Sequence, residues 1–135
     1  MQLVLDTNIV LDLLVFGDPA VQPVHERLQA GEAQWLATPP MREELARVLA
    51  YPKLAPRVAF HRGAAAAVLE DFDRHARLVD PAPAAPVRCG DADDQKFIDL
   101  AVAHRCLLLS KDAAVLALTK RLARLEVIAA PVMPA

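Results

Sequence analysis

The sequence predicts an α/β fold, a mostly parallel sheet covered by helices on both faces as a three-layer α/β/α sandwich, and three observations carry that expectation. Short apolar runs such as Leu3-Val4-Leu5, Trp35-Leu36-Ala37 and Leu107-Leu108-Leu109 alternate with longer stretches of helical periodicity. Strands separated by helices in this way pair in parallel and are buried on both sides. Finally, the first run and the Leu107 run are each followed by an aspartate, Asp6 and Asp112, just before a helix resumes. In open α/β sheets, ligands bind in the crevice outside the carboxyl ends of the strands.

The elements follow in order. Gln2 to Leu5 is a strand, and Ile9 to Phe16 reads as a short helix closed by Gly17-Asp18-Pro19. Val21, Val24 and Leu28 mark a second helix that Gly31 stops. Trp35 to Thr38 is a second strand, and Pro39-Pro40 opens a helix running from Met41 to about Ala50, where proline is tolerated in the first turn. After the Tyr51 to Pro56 loop, residues 57–76 predict one long helix or two, with Gly63 as the break. Arg77 to Asp80 is a third strand, and Pro81, Pro83 and Pro86 mark an extended connection. A helix from Asp91 to His104 precedes the clearest strand, Cys106 to Ser110. Asp112 begins another helix through Leu122, Leu125 to Ile128 is a last strand, and an Ala/Pro tail occupies about 130–135.

A chain of 135 residues is expected to form a single domain over 1–135. With 55% hydrophobic but 4% aromatic residues, its core is expected to be built mainly from Ala, Val and Leu. A net charge of −2 gives no global attraction to polyanions, so any such ligand needs a local patch or bound cations. Cys89 and Cys106 follow no metal or redox spacing, and with no leader or membrane-length apolar run the expectation is a soluble cytoplasmic protein with reduced thiols.

Direction on each helix separates the carboxylates. Phe97, Ile98, Ala101 and Val102 define a buried face; Asp94 lies within about 60° of its centre, whereas Asp99 points well away. A carboxylate aimed toward the core needs a partner. Asp91 and Asp93 read as helix caps, and for Asp94 capping and a functional role both stay open. On the Met41 helix, Glu44 stands at the margin of the buried stripe and Glu43 nearly opposite. Asp112 alone is a good N-cap. Four carboxylates at one end of a sheet, Asp6, Glu44, Asp94 and Asp112, would repel unless cations neutralised them, and Mg²⁺ or Mn²⁺ suit an all-oxygen set.

Four segments together resemble the PIN domain family: Val4-Leu5-Asp6-Thr7-Asn8, then Glu44 to Leu49 with Tyr51-Pro52-Lys53, then Cys89-Gly90-Asp91-Ala92-Asp93-Asp94-Gln95-Lys96-Phe97, and Leu109-Ser110-Lys111-Asp112. They look most like the branch containing toxins of bacterial toxin–antitoxin systems, the VapC-like proteins. The resemblance implies a metal-dependent endoribonuclease whose acidic set is Asp6, Glu44, Asp94 and Asp112, with Asn8 and Ser110 as accompanying polar groups and Asp99 as a peripheral acid. It also implies RNA as substrate, a cognate antitoxin and a homodimer. Ser110-Lys111 stands where the family often has Thr-Gly, and Gly90 where this branch often has arginine.

Lys111 and Arg88 flank the expected site and are the candidates for phosphate contact, whereas Lys120, Arg121 and Arg124 read as a solvated helix face. His25, His61, His75 and His104 show no metal-ligand spacing, and Trp35 is expected in the core, with base stacking as its other reading. Two other classes of function fit the fold. One is a non-catalytic PIN-like module that binds RNA or protein. The other is a receiver-type phosphoryl-transfer protein, which wants an acidic pair after the first strand where this chain has Asp6-Thr7-Asn8.

Overall fold

The computed structural model describes residues 1–134, and the end of the expected tail, residue 135, lies outside the described residues. Its strands are β1 (Gln2–Leu5), β2 (Gln34–Ala37), β3 (Ala76–Leu78), β4 (Leu107–Leu109) and β5 (Ala129–Ala130). They form one parallel sheet in the order β3-β2-β1-β4-β5. The chain therefore builds outward from β1 to β3, then returns to lay β4 on the other side of β1. Five helices fall before the return: α1 (Thr7–Leu11), α2 (Gln22–Gln29), α3 (Pro39–Leu49), α4 (Ala55–Arg62) and α5 (Ala65–His75). Three follow it: α6 (Gln95–His104), α7 (Ala113–Leu116) and α8 (Thr119–Ala123). Right-handed crossovers put the first five on one face of the sheet and the last three on the other.

β1 and β4 are apolar without alternation because each is covered on both faces. Leu3, Val4 and Leu108 are fully buried, paired in the register Leu3 to Leu107, Val4 to Leu108 and Leu5 to Leu109. Trp35 is 1% exposed and meets Phe72 of α5 edge-on, ring centroids 5.0 Å apart, so it belongs to the core rather than to a stacking surface. Cys89 and Cys106 are free, and burial pushes the Cys106 thiol up to about 11, which leaves it unreactive.

Several local expectations are corrected. The Ile9 to Phe16 helix begins at Thr7 and widens to a π turn over Asp12–Phe16 before Gly17, at φ 60°, closes it. Residues 57–76 form two helices, and α4 begins earlier, at Ala55. The helix expected from Asp91 starts as a 3-10 turn over Ala92–Asp94 and becomes α-helical at Gln95. The helix expected from Asp112 to Leu122 is split at Ala117-Leu118 into α7 and α8. The last strand is Ala129–Ala130 rather than Leu125 to Ile128. The Val127 amide still bonds to the Leu122 carbonyl, and Glu126, at φ 65°, makes the turn between helix and strand. That segment is apolar because it seals the end of α8, with Val127 fully buried.

Candidate functional site

Because every strand is parallel, the turns after β1, β2 and β4 lie at one end of the sheet, and the order of connection reverses between β1 and β4. At such a reversal the two following loops leave toward opposite faces and open a crevice. Asp6 and Asp112 stand on its two sides. The Asp6 amide donates to the Leu109 carbonyl at 3.1 Å, which brings Asp6 beside Ser110 just beyond the last strand pair.

Asp6 is 2% exposed. Its Oδ1 accepts the Ile9 amide at 3.0 Å as the N-cap of α1, and its Oδ2 accepts the Ser110 hydroxyl. Burial raises its pKa above the usual carboxylate range; the Ser110 hydroxyl and the Ile9 amide pull the other way. Ser110 is fully buried, and its Oγ also accepts the Asp112 amide at 3.1 Å. One hydroxyl thus ties the two aspartate loops together. Ser110→Ala removes both bonds, so a loss of about 1–3 kcal/mol is expected in chemical denaturation, with the apparent pKa of Asp6 rising further. Unchanged stability would show that the two loops hold their places without it.

Asp94 precedes the first residue of α6, whose amino end lies at this end of the sheet because the helix leads into β4. One carboxylate oxygen each from Asp91, Asp94 and Asp112 lie within 4.8 Å of one another. Asp91 and Asp112 are each partly engaged as caps, through Oδ1, with the Asp93 amide at 2.9 Å and the Ala114 amide at 2.8 Å. Asp94 caps nothing, and its buried Oδ2 has no hydrogen-bond partner among the described residues. Its pKa is pushed up to about 7, by burial first, then by the adjoining Asp112, with Asp91 and Asp6 adding to it. A buried acceptor without a donor, facing two further carboxylates, is the chemistry a hard divalent cation satisfies, and the residues fit one. Asp94 stands at the N-cap position of α6, but its side chain makes no cap hydrogen bond.

Glu44, half-buried on α3, accepts the Thr7 hydroxyl at 2.9 Å and forms an ion pair with Lys96 of α6. The Lys96 ammonium also donates to the Asp93 carbonyl, so it spans from Glu44 to the turn that carries Asp94. Lys111 pairs with Asp12 at the start of the π turn. Arg88 is exposed, and among the described residues it forms no ion pair. Asn8 is exposed and has no side-chain hydrogen bond among the described residues; its neighbour Thr7 is the one that reaches a site carboxylate. Asp99 is half-buried, accepting the Ala85 amide at 2.9 Å and Gln95 Nε2 at 2.8 Å, so it fastens the proline-rich connection to α6. It is not in the three-carboxylate group, and neither are Asp6 and Glu44.

Four residues of the site were not singled out for it in the sequence: Asp91, Thr7, Lys96 and Asp12. Asp91 does cap, as expected, but the 91/94 spacing of three also sets both carboxylates on one side of a helical turn, a signal the sequence carries. No comparable signal marks Lys96 or Asp12, whose partners lie far away in sequence. Two hollows beside Arg105 and Glu126 open at the start of β4, the opposite end of the sheet.

The sequence model described as the PIN domain matches residues 2–114, from β1 through Ala114 of α7. No curated protein and no solved structure matches the chain.

Proposed function

The chain belongs to the PIN domain family, and from that premise we propose that it is an endoribonuclease dependent on Mg²⁺ or Mn²⁺. PIN domains are generally nucleases that use divalent metals, so nucleic acid is the substrate class. The observation that carries the reading is the unpartnered buried oxygen of Asp94 facing Asp91 and Asp112.

In this proposal Asp6, Glu44, Asp94 and Asp112 form the catalytic acidic set. Asp94 and Asp112 would hold the cation, with Asp6 adding to the negative field around it. A divalent cation bound there supplies charge neutralisation at the scissile phosphate and activation of the attacking water. Glu44, oriented by Thr7, positions that water in line. Ser110 favours the ionised form of Asp6 by donating to it, and Lys111 and Lys96 exchange their carboxylate partners for phosphate oxygens. Hydrolysis then leaves a 5′-phosphate and a 3′-hydroxyl. Asn8 contacts the substrate edge and Asp99 holds α6 in place, while Arg88 meets phosphates further along the strand. The single domain spans 1–135 and acts in the cytoplasm as a homodimer and as the toxin of a toxin–antitoxin pair. No described helix is long and apolar enough to cross a membrane.

One observation favours the second reading, a non-catalytic PIN-like binding module: Lys96 and Lys111 already neutralise Glu44 and Asp12 from within the chain. Incubating purified protein with mixed single-stranded RNA and Mn²⁺ or Mg²⁺, against EDTA, separates the two. Metal-dependent cutting supports the nuclease. Intact RNA, together with no calorimetric Mn²⁺ binding, overturns it in favour of the module.

A further inference from the structure

No carboxylate side chain occurs between Glu44 and Glu70, yet this stretch carries Arg47, Lys53, Arg57, His61 and Arg62. In a chain of net charge −2, that is a strong local bias. The structure folds the stretch into the end of α3, its following turn and α4. Arg62 is engaged with Asp71, but Arg47, Lys53 and Arg57 are exposed and form no ion pair among the described residues. The carboxylates of the adjoining α5 are largely spent: Asp71 pairs with Arg62 and Arg74, and Asp73 pairs with Arg42, leaving Glu70.

Aromatic rings are set among these cations. Phe60, 85% exposed, is the most exposed large apolar side chain among the described residues, and Tyr51 is 54% exposed. Phe60 meets His61 edge-on at 5.1 Å, His61 meets Phe16 edge-on at 5.6 Å, and the Arg57 guanidinium lies 4.2 Å above the Phe16 ring. Phe16, His61 and Phe60 are thus braced by their neighbours while Phe60 keeps most of its surface free. The face is also continuous with the carboxylate crevice. Glu44, Arg47 and Tyr51 recur at helical spacing, with the Tyr51 amide bonded to the Val48 carbonyl. α4 packs against the π turn whose first residue, Asp12, holds Lys111.

We propose that this basic, aromatic face of α3 and α4 is a docking surface for single-stranded RNA. Phosphates run along Arg47, Lys53 and Arg57, and a base stacks on Phe60 while the strand continues toward Glu44. The combination of unpaired cations with free ring faces is the physical recipe for sequence-tolerant binding of a single strand. It explains how an acidic protein gathers a polyanion without a global positive charge. The proposal rests on the nuclease reading for its substrate class.

The test is fluorescence anisotropy with a short labelled single-stranded RNA of mixed sequence, in EDTA so that nothing is cut, over a range of salt. Phe60→Ala is expected to weaken binding about tenfold, within the range of one lost stack. Arg57→Ala and Lys53→Ala should each lower the salt slope by about one ion. Lys120→Ala, the same charge change on α8, should leave both quantities unaltered. All four positions are exposed, so folding is not at stake. Equal affinity and slope in every variant would overturn the proposal. So would a loss of self-association in Phe60→Ala with RNA affinity intact, which would make the face a contact between two copies. RNA bound here but never cut would sink the nuclease reading alone, and metal-dependent cutting with binding insensitive to these variants would sink the docking surface alone.

Discussion

Asp6→Asn is expected to abolish RNA cleavage, by on the order of a thousandfold or more, while the protein remains folded. The change deletes one negative charge and keeps the side chain's volume. Asparagine is as good an N-cap as aspartate, so the bond from the Ile9 amide survives at the start of α1. What is lost is the charge under Asp94 and Asp112, together with the bond Oδ2 accepts from the Ser110 hydroxyl, because an amide nitrogen cannot accept. An electrostatic clamp on a phosphoryl oxygen is worth several kcal/mol, and each 1.36 kcal/mol is a factor of ten in rate. Thermal stability should change little, because relief of a carboxylate that burial already penalises is offset by loss of the bond from Ser110. Single-turnover cleavage in Mn²⁺ and a melting curve on the same preparation check it. Undiminished cleavage by the variant would move the centre away from Asp6.

Asp94 governs the second large effect, on stability. The unfolded chain ionises Asp94 near the ordinary 3.8, whereas in the fold its pKa is about 7. Between those values the folded state binds the extra proton, so the metal-free protein should lose stability as pH rises from about 4 to about 7 and stay level above that. With allowance for solvent screening at a half-buried site, the loss is on the order of 1 kcal/mol. Asp94→Asn should remove this slope and raise the metal-free melting temperature at neutral pH. A divalent cation should do the reverse of deprotonation: a hundredfold excess over its dissociation constant stabilises by about 2.7 kcal/mol. That gain should be large near pH 8 and small near pH 5.5, where the cation must displace a proton. A melting temperature indifferent both to pH and to Mn²⁺ would remove Asp94 from any metal centre.

The positions of the candidate acidic residues were partly legible in the sequence because their supports are local. Asp6 follows a buried strand, Glu44 stands at the edge of an apolar stripe, and Asp94 points inward on its helix, each readable from period and position. Asp91 was read as a cap and nothing more, since one carboxylate can accept an amide with one oxygen and face a cation with the other. Asn8 was chosen as the accompanying polar group where Thr7 is the residue that reaches Glu44, because which of two adjacent polar residues does so depends on how α1 lies against α3. Asp99, directed away from the apolar stripe of its own helix, proved to meet the proline-rich connection, a segment whose path no helical projection gives.

By itself the sequence determined the α/β alternation, the strand-end aspartates and the family, since burial on both faces demands continuous apolar strands and helices demand their own period. The tertiary structure alone decided which strands are neighbours, and therefore that Asp6 and Asp112 flank the same crevice. It alone paired Lys96 with Glu44 and Lys111 with Asp12, and left Asp94 with an unanswered oxygen. The reason is one of range. Period and capping act within a few residues of chain, whereas charge pairing and desolvation depend on distance in space, which the sequence order does not carry.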